Sequence, residues 1–251
     1  MSNELHQMTD EIFGLYSELY EIACKEDDTR LKTFADNQFY GRFLELPADV
    51  VGYNRYFGWY KEAGSAENFG EWLDLYHNEK EKRPVCLSEY GGGGAISQHK
   101  DNVDWESDID PVGVRHYENY QSQLHEILWK QFSVRKYLWA EFIWRIPKDV
   151  YFFYRSVWSS EKTVYITERR HEFRACDVPF VKVYSNADAV ELCINDVSHG
   201  RISRCELPDD KSTVFVWENI KIKPGTKNKI CAKAYFSDGA SRTDYAFWTG
   251  K

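Results

Sequence analysis

The sequence has no apolar run near the roughly 20 residues that a helical membrane span needs. Its first residues, Met1-Ser-Asn-Glu-Leu-His-Gln-Met-Thr-Asp-Glu11, are polar and acidic where a signal peptide would be basic and then apolar. Nothing here directs export, so a cytoplasmic chain is the default expectation. Glycine (15) and proline (7) are scarce among 251 residues, which excludes collagen-like and low-complexity chains. There is no surplus of positive charge: 40 acidic against 32 basic residues leave a formal net charge of −8, and no basic stripe appears. Neither nucleic acid nor an anionic membrane surface is therefore expected as a partner. The six cysteines, Cys24, Cys86, Cys176, Cys193, Cys205 and Cys231, contain no Cys-x-x-Cys pair. That excludes a zinc knuckle or a thioredoxin motif and leaves free thiols in a reducing compartment as the expectation.

What is present is a folding composition with an unusual aromatic load. Hydrophobic residues make up 43% and charged residues 29%, while Trp (9), Tyr (17) and Phe (15) together reach 16%. A ring with an apolar face and a polar edge suits the stacking of flat, half-polar ligands such as sugars. Ile12, Leu15, Tyr16, Leu19, Tyr20 and Ala23 trace the stripe of an amphipathic helix. Phe69, Trp72, Leu73 and Tyr76 predict a second helix, and Leu124, Ile127, Leu128 and Trp129 a third. Between them lie candidate strands at 30–35, 50–54, 84–88 and within the apolar run 137–144. Strands alternating with helices predict parallel βα units. After Pro147 the pattern changes to short alternating segments at 164–167, 180–184, 190–194, 214–217 and 230–236, with Asp, Gly and Pro in the turns. These predict an antiparallel, immunoglobulin-like sandwich. The expected fold is thus α/β followed by all-β, with domains at 1–158 and 159–251.

In parallel βα architectures reactive groups sit at the carboxyl ends of the strands. Glu89 follows the run Val85-Cys-Leu-Ser88 and precedes Tyr90 and Gly91 to Gly94, a loop with little side-chain bulk. Asn54, Tyr56 and Trp59 follow Val50-Val-Gly52, and Trp144 ends the last apolar run. Asn3-Glu4 precedes the first helix, where another strand end would fall. Two carboxylates about 5 Å apart are what a retaining glycosidase needs, one to attack the anomeric carbon and one to shuttle the proton. On spacing alone, two surface glutamates remain the plainer reading of Glu4 and Glu89.

The wording of the motifs resembles glycoside hydrolase family 2, which includes β-galactosidases and β-glucuronidases. Val51-Gly-Tyr-Asn-Arg-Tyr-Phe-Gly-Trp-Tyr60 is similar to the family's strand-six segment, and Pro84-Val-Cys-Leu-Ser-Glu-Tyr-Gly91 to its strand-seven nucleophile segment. Met1-Ser-Asn-Glu-Leu5 is similar to the end of strand four, Tyr151 to Ser159 to the helix that closes the barrel, and Lys182 to Leu192 to a following sandwich. The resemblance implies a retaining β-glycosidase, most nearly of β-galactosidase type, acting on β-linked oligosaccharides or glycosides. It implies Glu89 as nucleophile and Glu4 as acid/base. Asn3 would bond the sugar 2-hydroxyl, Tyr56 would hydrogen-bond Glu89, Trp144 would wall the sugar ring, and Asn54 and His99 would bind substrate. Trp59 and Asp36 are weaker candidates. No organic cofactor is implied, and no acidic cluster marks a metal site; a bound Mg²⁺ or Na⁺ enters by resemblance alone.

Two departures qualify the resemblance. A complete (β/α)₈ barrel takes about 250 residues, whereas residues 1–158 supply roughly strands four to eight. The chain is expected to be the C-terminal part of a longer enzyme, inactive until a missing barrel half, or a second copy, completes it. Arg145-Ile-Pro147 also replaces a long loop that in the family shapes the sugar subsite. The acidic stretch Asp101 to Asp110 reads as a solvated insertion. A second reading from a different class is a non-catalytic carbohydrate-binding or assembly module, or a relic of such an enzyme. Phosphate-loop, zincin and serine-hydrolase motifs are absent.

Overall fold

The computed structural model of the chain describes residues 7–38, 40–141, 148–209 and 212–251. Asn3, Glu4 and Trp144 lie outside the described residues, as does the short segment 145–147. The chain divides into two compact units, 1–92 with 124–144 and 93–123 with 145–251.

The first unit is built on a four-stranded, all-parallel sheet in the order β1 (Thr33–Asp36), β2 (Val50–Asn54), β3 (Val85–Glu89), β4 (Leu138–Glu141). Parallel strands need crossovers. Helix α2 (Phe69–Glu79) links β2 to β3, and the part of helix α4 (Glu118–Phe132) from Leu124 onward belongs to the β3–β4 crossover. Helix α1 (Asp10–Glu26) precedes β1, with Thr9 accepting from the Ile12 N–H at its start and Asp10 and Glu11 in its first turn. Every residue of β2 is buried, as expected of a parallel strand covered on both faces. Gly52 sits at its centre because a Cβ there would lie 2.5 Å from the Phe34 carbonyl oxygen of β1. Tyr16, Phe34, Phe43, Leu46, Val51 and Val85 make one core cluster. Much of the aromatic surplus read above as sugar-stacking packs here on itself. Phe57 stacks on Phe69 at 4.5 Å and Trp72 on Tyr76 at 5.1 Å, and Phe69 meets Phe132 edge-on.

The second unit carries the sandwich. One sheet orders β10 (Val214–Lys221), β7 (Asp177–Ser185), β5 (Val164–Ile166); the other orders β6 (Phe173–Arg174), β12 (Ser241–Gly250), β11 (Lys227–Tyr235), β8 (Ala189–Ile194), β9 (Val197–Ser203). All pairs are antiparallel except β12 with β6, so the sandwich is mixed rather than wholly antiparallel. Val181, Val183, Leu192, Phe215, Ile230 and Trp248 fill the space between the sheets. The β8–β9 hairpin turns on Asn195-Asp196, both at positive φ, a turn that short polar side chains tolerate. Helix α5 (Asp149–Trp158) and the segment 93–123, with its short helix α3 (Trp105–Asp108), belong to this unit. That segment is not simply a solvated acidic insertion. Asp108 is buried, pairs with Lys100 and accepts from the Asp104 N–H, while Asp101 pairs with Arg174 of β6.

Candidate active site

The parallel sheet of the first unit brings Asp36, Asn54 and Glu89 to its carboxyl edge, each the last residue of its strand. A register shift at Tyr53/Asn54 sets Asn54 opposite Glu89 rather than Ser88. Glu89 is half-buried, and the Tyr56 hydroxyl donates to its Oε2 at 2.5 Å. The Arg55 N–H donates to the Glu89 carbonyl at 2.9 Å, which fixes the backbone that presents both side chains. Asn54 is buried, its Oδ1 accepting from Ser88 Oγ at 2.7 Å. Asp36 is turned inward, its Oδ1 accepting from the N–H groups of Asn37 and Gln38 at 2.7 and 3.1 Å.

The loop after Glu89 is held by close approach. A Cβ on Gly91, whose φ is +84°, would meet the His125 ring at 2.3 Å, and one on Gly92 would meet the Trp59 indole at the same distance. Gly91 and Gly92 therefore let two buried rings, His125 and Trp59, press against the loop backbone. Tyr56 also meets Tyr60 edge-on, with centroids 5.3 Å apart. Sequence reasoning finds Glu89, Tyr56, Asn54 and Trp59 but misses Ser88, His125 and Arg55. Their signal lies in contacts between residues far apart in the chain.

His99 lies in the second unit. Its imidazole is 4% exposed, stacks on His171 at 5.4 Å, and has Nε2 3.0 Å from the Ile96 carbonyl oxygen. Burial holds His99 below the usual histidine range. Around it runs a buried charge network. Arg170 lies 2.5 Å from Glu118 Oε1, the Tyr165 hydroxyl donates to Asp149 at 2.7 Å, and the Glu168 N–H donates to Asp149 at 2.6 Å. Burial and the neighbouring Asp149 carboxylate push Glu118 up to about 7.

Asp101, Glu168 and His171 are the group of metal-type donors among the described residues, their ligand atoms within 4.8 Å of one another. The Arg174 guanidinium pairs with Asp101 and lies 3.0 Å from Glu168. The positive charge that these carboxylates need is already covalently present, so the cluster does not fit an added cation without displacing Arg174.

Residues 9–137 match the family model described as the TIM barrel domain of glycosyl hydrolases family 2. The chain belongs to glycoside hydrolase family 2. Its residues 178–242 match a second model, described as a domain of unknown function. A β-glucuronidase of Bacteroides fragilis is 28% identical over 252 residues, covering 89% of this chain and 34% of that protein. The solved structure of an FMN-binding β-glucuronidase from Facaelibacterium prausnitzii L2-6 has a TM-score of 0.80 and 27% identity, covering 100% of this chain and 40% of the other. A Bacteroides uniformis β-glucuronidase shares the fold at a TM-score of 0.75 and 21% identity, over 96% of this chain and 32% of the other. The family 2 chain described here spans about a third of the length of the curated relatives it matches. Among the described residues no helix is long and apolar enough to cross a membrane.

Proposed function

We propose that this chain supplies the carboxyl-terminal part of the catalytic barrel and the following sandwich of a retaining β-glycosidase, with the division near residue 158. The observation that carries the reading is Glu89 at a strand end with the Tyr56 hydroxyl donating to its carboxylate at 2.5 Å. Such a bond orients the carboxylate for attack. Glu89 displaces the leaving group at the anomeric carbon while Glu4 protonates the departing oxygen; Glu4 then removes a proton from the water that releases the sugar. Asn3 bonds the 2-hydroxyl, where hydrogen bonds strengthen as the oxocarbenium-like transition state forms. Asn54, held by Ser88, shapes the floor beside Glu89. Trp144 provides an apolar wall, and His99 is assigned to substrate binding on the resemblance alone.

For the substrate, a β-glucuronide is favoured over the β-galactoside of the motif resemblance, because the relatives at 28% and 27% identity are both β-glucuronidases. The product of the natural reading frame is assayed on nitrophenyl β-glucuronide and nitrophenyl β-galactoside. Turnover of the first is expected, falling at least about 10³-fold in Glu89→Gln. Sugar binding without turnover, unaffected by Glu89→Gln, favours the non-catalytic module instead.

A further inference from the structure

The outer face of the β6-β12-β11-β8-β9 sheet carries an arrangement that neither the core nor the barrel chemistry uses. On β12, Tyr245 and Phe247 point outward and are 48% and 46% exposed, alternating with the buried Ala246 and Trp248. On β11 the outward positions include Lys227, Lys229, Cys231 and Lys233; Lys229 faces Phe247, Lys227 faces Thr249 and Cys231 faces Tyr245. Lys229 lies over the Tyr245 ring at 5.3 Å and Lys227 over the Phe247 ring at 4.9 Å. The pattern repeats at both flanks. Lys251 lies over Phe173 of β6 at 5.9 Å, and Arg201 of β9 over Tyr235 of β11 at 4.1 Å.

Neighbouring strands are about 5 Å apart, and alternate residues along a strand are about 7 Å apart. The face therefore sets two adjacent rings of β12, Tyr245 and Phe247, beside Lys227, Lys229 and Lys233 of β11, with Cys231 between the last two. In a chain of net charge −8 this face is locally cationic. The carboxylates on it are engaged: Asp196 with Lys229 at 3.0 Å, and Glu191 as acceptor from Tyr235 and Ser198. Tyr245 and Phe247 are adjacent on this face rather than scattered, which makes them a contiguous stacking surface. An exposed cation is held over a ring only weakly, so a lysine on its flexible stem can leave the ring for a stronger anionic partner.

We infer that this face is a docking surface for an acidic oligosaccharide, whose C–H faces lie on Tyr245 and Phe247 while its carboxylates meet Lys227 and Lys229. The rings offer flat apolar faces for pyranose C–H groups, and the lysines add a charge match that a neutral glycan lacks. The choice of uronate as the acidic group rests on the β-glucuronide reading above; the surface itself does not depend on catalysis, and of its residues Lys227 and Lys229 lie within the stretch 178–242 matched by a domain of unknown function.

The test is calorimetric titration of the full chain with a hyaluronan hexasaccharide, with cellohexaose, polyglutamate and a heparin hexasaccharide as controls. Expected is saturable binding of hyaluronan that weakens as salt is raised. It should fall about tenfold or more in Tyr245→Ala/Phe247→Ala and, separately, in Lys227→Glu/Lys229→Glu, with thermal stability unchanged. Cellohexaose should bind at least about tenfold more weakly. Equal binding of polyglutamate or of cellohexaose, a preference for heparin, or affinity untouched by either double variant overturns the proposal. Turnover of nitrophenyl β-glucuronide by the product of the natural reading frame is measured in parallel. Turnover without hyaluronan binding sinks the docking surface alone, whereas binding without turnover sinks the β-glucuronide reading alone.

Discussion

Tyr56 and Glu89 form the most informative pair in the barrel unit. A charge-assisted O–H···O bond as short as 2.5 Å is among the stronger hydrogen bonds in a protein, so its loss should be felt in the transition state rather than in folding. Tyr56→Phe is expected to lower kcat of the intact enzyme about 10- to 100-fold with little change in thermal stability, read from steady-state kinetics beside a melting curve. Glu118, in the second unit, calls for a different measurement. Its carboxyl is 1% exposed, and it is faced by Asp149, Arg170, His99 and Lys148. Because burial and Asp149 raise its pKa to about 7, the folded state binds the proton more tightly than the unfolded state. Its stabilising contribution is present at low pH and is lost as pH rises from about 4.5 through about 7. Glu118→Gln should remove about 1–3 kcal/mol of this pH dependence, measured by denaturant unfolding at pH 5 and pH 8. A variant with the wild-type slope would show that Arg170 keeps Glu118 ionised throughout.

Strand β2 shows how tightly the first sheet is drawn. Gly52→Ala places a methyl group 2.5 Å from the Phe34 carbonyl oxygen, a backbone atom that a rotamer change cannot move. It should cost about 2–3 kcal/mol by denaturant unfolding, whereas alanine at Gly14 of α1, which has nothing within 4 Å, should be neutral or stabilising. Several elements were legible from pattern alone: β2 at Val50–Asn54, α2 through Phe69, Trp72, Leu73 and Tyr76, and α1 through its apolar stripe. Others were not, for physical reasons. β12 reads Ser-Arg-Thr-Asp-Tyr-Ala-Phe-Trp-Thr-Gly, where rings occupy the outward positions and Ala246 and Trp248 the inward ones, so the period-two contrast vanishes. β9 is largely exposed and offers no apolar face to count, and β6 is two residues long. In the site, Glu89 and Tyr56 were legible because the motif wording names them. The Ser88–Asn54 bond and the packing of His125 on Gly91 depend on contacts that no local window contains.

The molecule as a whole joins a parallel βα unit, whose strand ends gather the candidate chemistry, to a sandwich unit stabilised by its own apolar core. All six cysteines are free thiols, including Cys193 and Cys231, which face each other across β8 and β11. Titration of the unfolded chain without reductant should therefore count six thiols, and reductant should leave Tm within about 1 °C. Fewer than six would mean that the facing pair oxidises. Trapping the covalent intermediate tests whether Glu89 is the nucleophile of a retaining glycosidase. The product of the natural reading frame is treated with 2-deoxy-2-fluoro-β-glucuronyl fluoride, digested, and sequenced by mass spectrometry. One glycosyl group per chain is expected, on Glu89 and absent in Glu89→Gln; a label on any other residue, or glycoside turnover that survives Glu89→Gln undiminished, would overturn the assignment of Glu89.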